Sequence, residues 1–349
     1  MPKAACLFSS PHDFKQTNAV NLVSEAAAAT DSVQCVVRKG SLQFPHPALS
    51  GHNWPVLEVI APLPGPRVCV MAGMHVNEVC GIEAAFRLAD ALPGLLTHGQ
   101  VSIVPFVNMP ALSARTEYYC PVDGKNINWQ FPGDLQGSFS EQLADALLNH
   151  WVGDADLLID LHGGDLREDI ASFVMFQETA DEALNARNRS LAECFDVAYM
   201  EPLRPKLMEA GGRACTGRGR LGKPAVMSEA GANGLLDEDC VAIHYDGVLR
   251  ILNALEMTGA APAPKKRQLV EVRDRAGVEA PASGFLRTRV EIGEHVEKGQ
   301  IVADIRDRHG CVVQMIEAPI SGITLFKISH PLVNRGERIM SFVHSVTGA

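Results

Sequence analysis

Four residues of this chain are of types that do hydrolytic chemistry, and their spacing suggests that they meet. His75 and Glu78 stand three apart in Gly73–Glu78 (GMHVNE), directly after the apolar run Val68-Cys69-Val70-Met71. Imidazole and carboxylate are both metal ligands, and at i and i+3 on a helical turn both reach one ion. His162 closes a second apolar run, Ala155–His162 (ADLLIDLH), ahead of Gly163-Gly164. Glu229 closes a third, Lys223–Glu229 (KPAVMSE), ahead of Ala230-Gly231. Such runs read as buried strands, and in α/β sheets ligands sit at the strand C-termini. HxxE alone is a weak signal; three strand exits converging on one rim make a strong one. Two histidines and a glutamate form a catalytic zinc set with a fourth position open for water. Glu229 is then the carboxylate that takes the water's proton.

Longer segments around these residues carry a family likeness. The series GMHVNE, NMPA, DGKNINWQFPGD, DLLIDLHGG and PAVMSEAGANG, in that order over roughly residues 52–257, resembles the succinylglutamate desuccinylase/aspartoacylase family, a branch of the zinc carboxypeptidase-like hydrolases. The resemblance implies one zinc ion per chain, with His75, Glu78 and His162 as ligands and Glu229 as general acid/base. It also implies a small acylated substrate. That family usually carries N-x-N-R or D-x-N-R before FPG, and its arginine binds a substrate carboxylate. Here the segment is Asn126-Ile127-Asn128-Trp129. Asn128 is retained as a substrate-binding residue, while Trp129 replaces the arginine and reads either as a core plug or as a wall of the site, where it offers an apolar surface or a ring face for a cation. Carboxylate recognition is thereby left without its usual residue; the metal chemistry is untouched.

The elements between these motifs supply further candidates. Asp160, two residues before His162 on a strand, points to the same side and is expected to hold that ligand as a hydrogen-bond acceptor. The connection Met109–Asp134 is long and irregular, which in a compact domain favours function. Its Arg115 is the local candidate for polarising a carbonyl or binding an anion, although its offset from Asn128 does not match the family. Arg167, in the charged loop Asp165–Asp169, reads as solvated. His46 and His52 read as loop histidines without a partner at metal spacing, and His150 as packed or on the surface. Ala210–Gly222 (AGGRACTGRGRLG) reads as a surface loop or a cationic lid; it has no phosphate-loop or dinucleotide motif.

The framework around them is expected to be α/β: a mixed sheet with helices on both faces over residues 1–259, a linker at 260–268, and an all-β unit over 269–349. Helix-like periodicity marks Ala19–Ala29, Ile82–Leu92, Ser140–Val152, Ala180–Phe195 and Asp237–Met257, and strand patterns mark Ser32–Arg38, Trp54–Ile60, Val101–Val107 and Ala171–Gln177. The last unit holds an internal repeat, with APASG from Ala280 matched by APISG from Ala318. It resembles the two halves of a biotinyl/lipoyl sandwich, but the hairpin Asp307–Cys311 (DRHGC) has no lysine, which rules out a swinging arm.

Composition narrows the class. The 349 residues are 46% hydrophobic and 21% charged, with a net charge of -10, which argues against nucleic acid or an anionic membrane as a partner. Neither a signal peptide nor a membrane-spanning run is evident, and the nine scattered cysteines read as reduced, so a cytoplasmic protein is expected. Free strand edges in the β-unit suggest a homo-oligomer. The expected function is a zinc hydrolase cleaving the amide of a small N-acylated amino acid. A zinc carboxypeptidase is the nearest rival, and a silent binding protein on the same scaffold comes second. The absence of G-x-S-x-G argues against a serine nucleophile.

Overall fold

The computed structural model describes residues 34–208, 212–264 and 269–345. The helix-like stretch Ala19–Ala29 lies outside them, as do residues 210–211 of the glycine-rich segment and 265–268 of the linker. The strands are β1 Val36–Leu42, β2 Trp54–Ile60, β3 Leu63–Ala72, β4 His98–Val104, β5 Leu157–His162, β6 Glu168–Ile170, β7 Phe173–Gln177, β8 Tyr199–Leu203 and β9 Ala225–Glu229. They continue as β10 Val270–Glu279, β11 Gly284–Thr288, β12 His295–Val296, β13 Ile301–Arg306, β14 Val312–Glu317, β15 Gly322–Ile328, β16 Leu332–Val333 and β17 Arg338–Ser345. The helices are α1 Val79–Ala91, α2 Met109–Ala114, α3 Phe139–Asp145, α4 Glu182–Ala192, α5 Ala214–Arg220 and α6 Glu238–Ala254.

Alternation along the central strands sorts the core into two layers. Val68, Val70 and Ala72 of β3, Leu157, Ile159 and Leu161 of β5, and Val226 of β9 pack with α1 and α6 residues such as Leu88 and Val248. Their neighbours Cys69, Met71, Leu158, Ala225 and Met227 face the other way, against Phe139, Leu143, Trp151 and Cys215. The fold is thus a mixed sheet with helices on both faces. The order is β1-β2-β4-β3-β5-β9-β7-β8, with β3, β4, β5 and β9 parallel and β7 antiparallel to β9. The period of two fixes the side of the site as well. Asp160 and His162 share a face with Leu158, and Glu229 shares one with Met227.

Helix ends follow their caps. Asp237 accepts from the N–H of Cys240 at the start of α6, and Ser138 with Glu141 forms a capping box ahead of α3. Beyond Asp145 that helix widens into a π-helix, Ala146–Val152. The glycine-rich segment corrects the loop reading: Ala214–Arg220 is the helix α5 and is largely buried. Glycine serves close packing here. A Cβ on Gly217 would meet Leu148 Cδ2 at 3.0 Å, and one on Gly219 would meet Gln177 Cγ at 2.9 Å. Arg218 is fully buried and donates to the carbonyls of Gly153 and Ala155 at 2.9 and 2.6 Å, so its charge caps the end of the π-helix rather than facing water.

The repeat folds as two interlocked halves. β12 of the first half pairs with β15 of the second, and β16 of the second pairs with β11 of the first. The strands β14-β13-β11-β16 form a separate 4-stranded sheet. The other layer is continuous with the main sheet: β10 runs parallel to β8 at Val270–Glu271 and then antiparallel to β17. β6, next to the second histidine's loop, pairs with β15. A 13-stranded sheet results, and it brings residues of the β-unit to the strand exits.

Candidate active site

β3 ends at Ala72, and Gly73 turns the chain with φ +63, close enough to Pro105 O that a Cβ would sit 2.7 Å from it. Only glycine fits there, and the turn delivers His75 and Glu78 just ahead of α1. β5 and β9 are neighbours in register, with His162 opposite Glu229. The ligand atoms of His75, Glu78 and His162 all lie within 4.8 Å of one another, and all three residues are buried.

The contacts among them fit a bound cation. His75 Nδ1 is 2.6 Å from Glu78 Oε1, and its Nε2 is 3.1 Å from Asn126 Oδ1. Asn126 Oδ1 also accepts the N–H of Asn128 at 2.9 Å, so the amide is fixed as an acceptor and takes the Nε2 proton. Nδ1 is then the free ligand atom. His162 Nδ1 lies 2.8 Å from Glu78 Oε2, and its Nε2 lies 3.2 Å from Asp160 Oδ1. Glu78 Oε2 nonetheless has no hydrogen-bond partner. A buried carboxylate whose two oxygens each face an imidazole nitrogen, one of them without a hydrogen bond, is a donor set that a divalent ion completes.

Electrostatics divide the two glutamates. Burial opposes ionisation of Glu78, but the two imidazoles outweigh it and hold its carboxyl well below the usual range. Burial drives Glu229 the other way, aided by the Glu78 charge and against the pull of His162. One carboxylate is therefore held charged as a ligand while the other is given a raised proton affinity, as suits a group that takes up a proton and hands it on. Two carboxyls pushed apart in this way mark an acid/base division of labour. Burial likewise raises Glu168 to about 7, with Tyr118 opposing and Glu78 adding.

The site opens through two adjoining clefts. The inner one, of about 140 Å³, is lined by His75, Glu78 and Glu229 together with Arg275 and Phe326. The outer one, of about 400 Å³, shares Tyr118, Asn126, Trp129, Glu168 and Phe326 with it. Trp129 lines both, yet it is 58% exposed, so it forms the rim and not a core plug. Asn128 is buried and lines neither; its backbone, not its side chain, supports the site through Asn126. Arg115 is exposed at the left-handed C-cap of α2, with φ 53, and also lines neither cleft. Arg167 lines the outer cleft, where it pairs with Glu117 at 2.9 Å and Glu337 at 2.6 Å.

Several contributors escaped the sequence reading. Asn126 was legible as the first asparagine of the KNINW motif. Tyr118 sits at φ 54, a strained value for a bulky residue, and is held there by its N–H donating to Asp165 Oδ2 at 3.0 Å. Arg275 had no local signal, because it comes from β10, past the linker. Glu201 clamps its Nε at 3.2 Å and also its Nη2, and its Cζ lies 4.9 Å from the Phe173 ring centre.

Comparison with known proteins gives this geometry a context. Residues 64–255 match the succinylglutamate desuccinylase/aspartoacylase catalytic domain. The chain is 30% identical over 282 residues to the N-alpha-acetyl-L-2,4-diaminobutyric acid deacetylase of Halomonas elongata, covering 79% of this chain and 81% of that one. Among solved structures, the product-bound ectoine utilization protein EutE (DoeB) of Ruegeria pomeroyi superposes with a TM-score of 0.79 at 22% identity, over 93% of this chain and 99% of that one. A succinylglutamate desuccinylase/aspartoacylase of Rhodobacter sphaeroides gives 0.76 at 24%, with the same coverage. The catalytic-domain match and the curated relative agree with the order of motifs along the strands: this chain belongs to the succinylglutamate desuccinylase/aspartoacylase family.

Proposed function

We propose that this protein is a zinc-dependent deacylase that hydrolyses the amide of a small N-acylated amino acid. The observation that carries the reading is the pairing of His162 with Glu229 across adjacent strands, beside a buried His75–Glu78–His162 donor set. A zinc ion, when bound, polarises the acyl carbonyl and lowers the pKa of a coordinated water towards ~7. His75 and His162 would hold it through Nδ1, with Asn126 accepting from the far ring nitrogen of His75 and the Asp160 carboxylate lying 3.2 Å from that of His162. Glu229 takes the proton of the attacking water and gives it to the leaving amine, a transfer its raised proton affinity suits.

Substrate size and charge follow from the clefts. An inner space of about 140 Å³ accommodates a small acyl amide and leaves little room for a folded peptide. Arg275 supplies the cation that Trp129 does not, and its Glu201-held guanidinium is preorganised for the substrate carboxylate. The relative from Halomonas elongata, named for an N-acetylated diamino acid, supports the same class of substrate. Trp129 would then cover the outer end of the substrate, and Arg115 would act only in long-range attraction of anions. Cytoplasmic residence fits a chain in which, among the described residues, no helix is long and apolar enough to cross a membrane. Association through the β-unit remains part of the proposal.

The test is amine release from a panel of N-acetyl and N-succinyl amino acids, with the wild type beside Glu229→Gln. The variant should keep its zinc and its fold and lose turnover by about 10²–10⁴-fold. Full activity in Glu229→Gln, or a panel that the zinc-loaded wild type leaves intact, would sink the mechanism or the substrate class respectively.

A further inference from the structure

A second group of imidazoles and a carboxylate lies away from the strand exits, and we propose that it binds a divalent cation of the zinc type as a structural ion. His46, after β1, Asp145, at the end of α3, and His150, in the π-helix, offer three ligand atoms within 4.8 Å of one another. The donor set is again two nitrogens and one carboxylate oxygen, which leaves room for a water in a tetrahedral shell.

The helix geometry builds this group. At 3.6 residues per turn, side chains five apart on an α-helix point about 140° away from each other. From Ala146 to Val152 the helix is of the π type, closed by Gly153 N–H to Leu148 O at 3.1 Å, an i→i+5 bond. Widening the turn brings His150 round to the face of Asp145, and such π segments recur at functional sites. Asn149 Nδ2 donates to Asp145 Oδ1 at 2.7 Å and so orients the carboxylate, leaving Oδ2 for His46 Nε2 at 2.9 Å. The rings of His46 and His150 meet edge to face, 5.0 Å between centres. His46 is only 3% exposed, and its Nδ1 has no hydrogen-bond partner. The sequence reading placed it on a loop without a metal-spaced partner; its partner is 99 residues away.

None of the three residues lines the catalytic clefts. An ion here joins the chain after β1 to the helix and, because its site exists only in the folded chain, adds its binding free energy to folding. Chain crossing, and not catalysis, is its role. The inference stands whether or not the proposed substrate is right, because its readouts are metal content and melting temperature.

The experiment is zinc content of the full chain after equilibration with micromolar zinc and removal of the excess. Two zinc ions per wild-type chain are expected, one in His150→Ala and one in His75→Ala. Adding zinc should raise the melting temperature of His75→Ala by several degrees, and that rise should vanish in His75→Ala/His150→Ala. Asp145→Asn, close in shape, repeats the count if His150→Ala does not fold. One zinc in the wild type with none in His75→Ala overturns the proposal and needs no helix variant to fold. Two ions retained in both His150→Ala and Asp145→Asn overturn it as well, by placing the second ion elsewhere.

Discussion

The strand-exit group and the helix group use the same three side-chain types, and they differ in what lies beyond the ligands. Past His75, Glu78 and His162 there is a cleft, a second, half-buried glutamate and a clamped guanidinium. Past His46, Asp145 and His150 there is packed chain, with the ring of His150 and its neighbour Asn149 at the edge. Ligand identity alone does not make a hydrolase. The chemistry comes from a strand end, where the backbone stops and leaves room for water and substrate. A helix side fills that room with its own next turn.

Loss of one strand-exit ligand gives the sharpest contrast. His162→Ala should release the catalytic ion and reduce amine release to the uncatalysed level, while the helix group keeps its own zinc in metal analysis. Asn126→Ala comes next. It leaves all three ligands but frees the His75 ring, and zinc affinity at the catalytic site should fall by about 10–100-fold in a chelator competition. Arg275→Lys keeps the charge against Glu201 and loses the forked geometry. It should raise KM for a carboxylate-bearing substrate by about tenfold, worth about 1.4 kcal/mol, with kcat nearly unchanged. An equal effect on a substrate amide lacking the carboxylate would assign Arg275 a purely structural part. The smallest effect is expected in His150→Ala, with turnover at the wild-type level and a melting point lowered by a few degrees in zinc but not in chelator. A fall in turnover there would erase the distinction between the two groups.

What the sequence made legible follows the range of the interactions. The strands behind His75, His162 and Glu229 are continuous apolar runs because both faces of the sheet are covered, and such runs survive any reading frame of burial. Their shared destination follows from the parallel arrangement. The glycine-rich segment misled, because Gly217 and Gly219 look like loop formers when their neighbours Leu148 and Gln177 are unknown. His46 was invisible as a partner for the same reason: a π turn and a contact across 99 residues have no local periodicity. Arg275 belongs to a segment beyond the catalytic-domain match at 64–255, so no motif announced it. Arg115, a candidate only by its place in the long loop, sits in solvent at the C-cap of a short helix. The helix predicted over Ser140–Val152 exists, but its second half is the wider coil that the propensities of ALLNHWV do not distinguish from an α-helix.

β10 gives this fold an unusual inheritance. Its first residues pair with β8 of the sheet that holds Glu229 and its later ones with β17 of the interlocked repeat, and Arg275 sits at the irregularity between Arg273 and Ala276 in that later part. A chain cut at the linker would expose the edge of β8 to other chains and strip the guanidinium and Phe326 from the cleft at the same stroke. The repeat is therefore no detachable ornament. Exchanging it would exchange a guanidinium that lines the cleft while leaving His75, Glu78, His162 and Glu229 in place, so the cleft's charge and its histidine–glutamate group are carried by separate stretches of the chain.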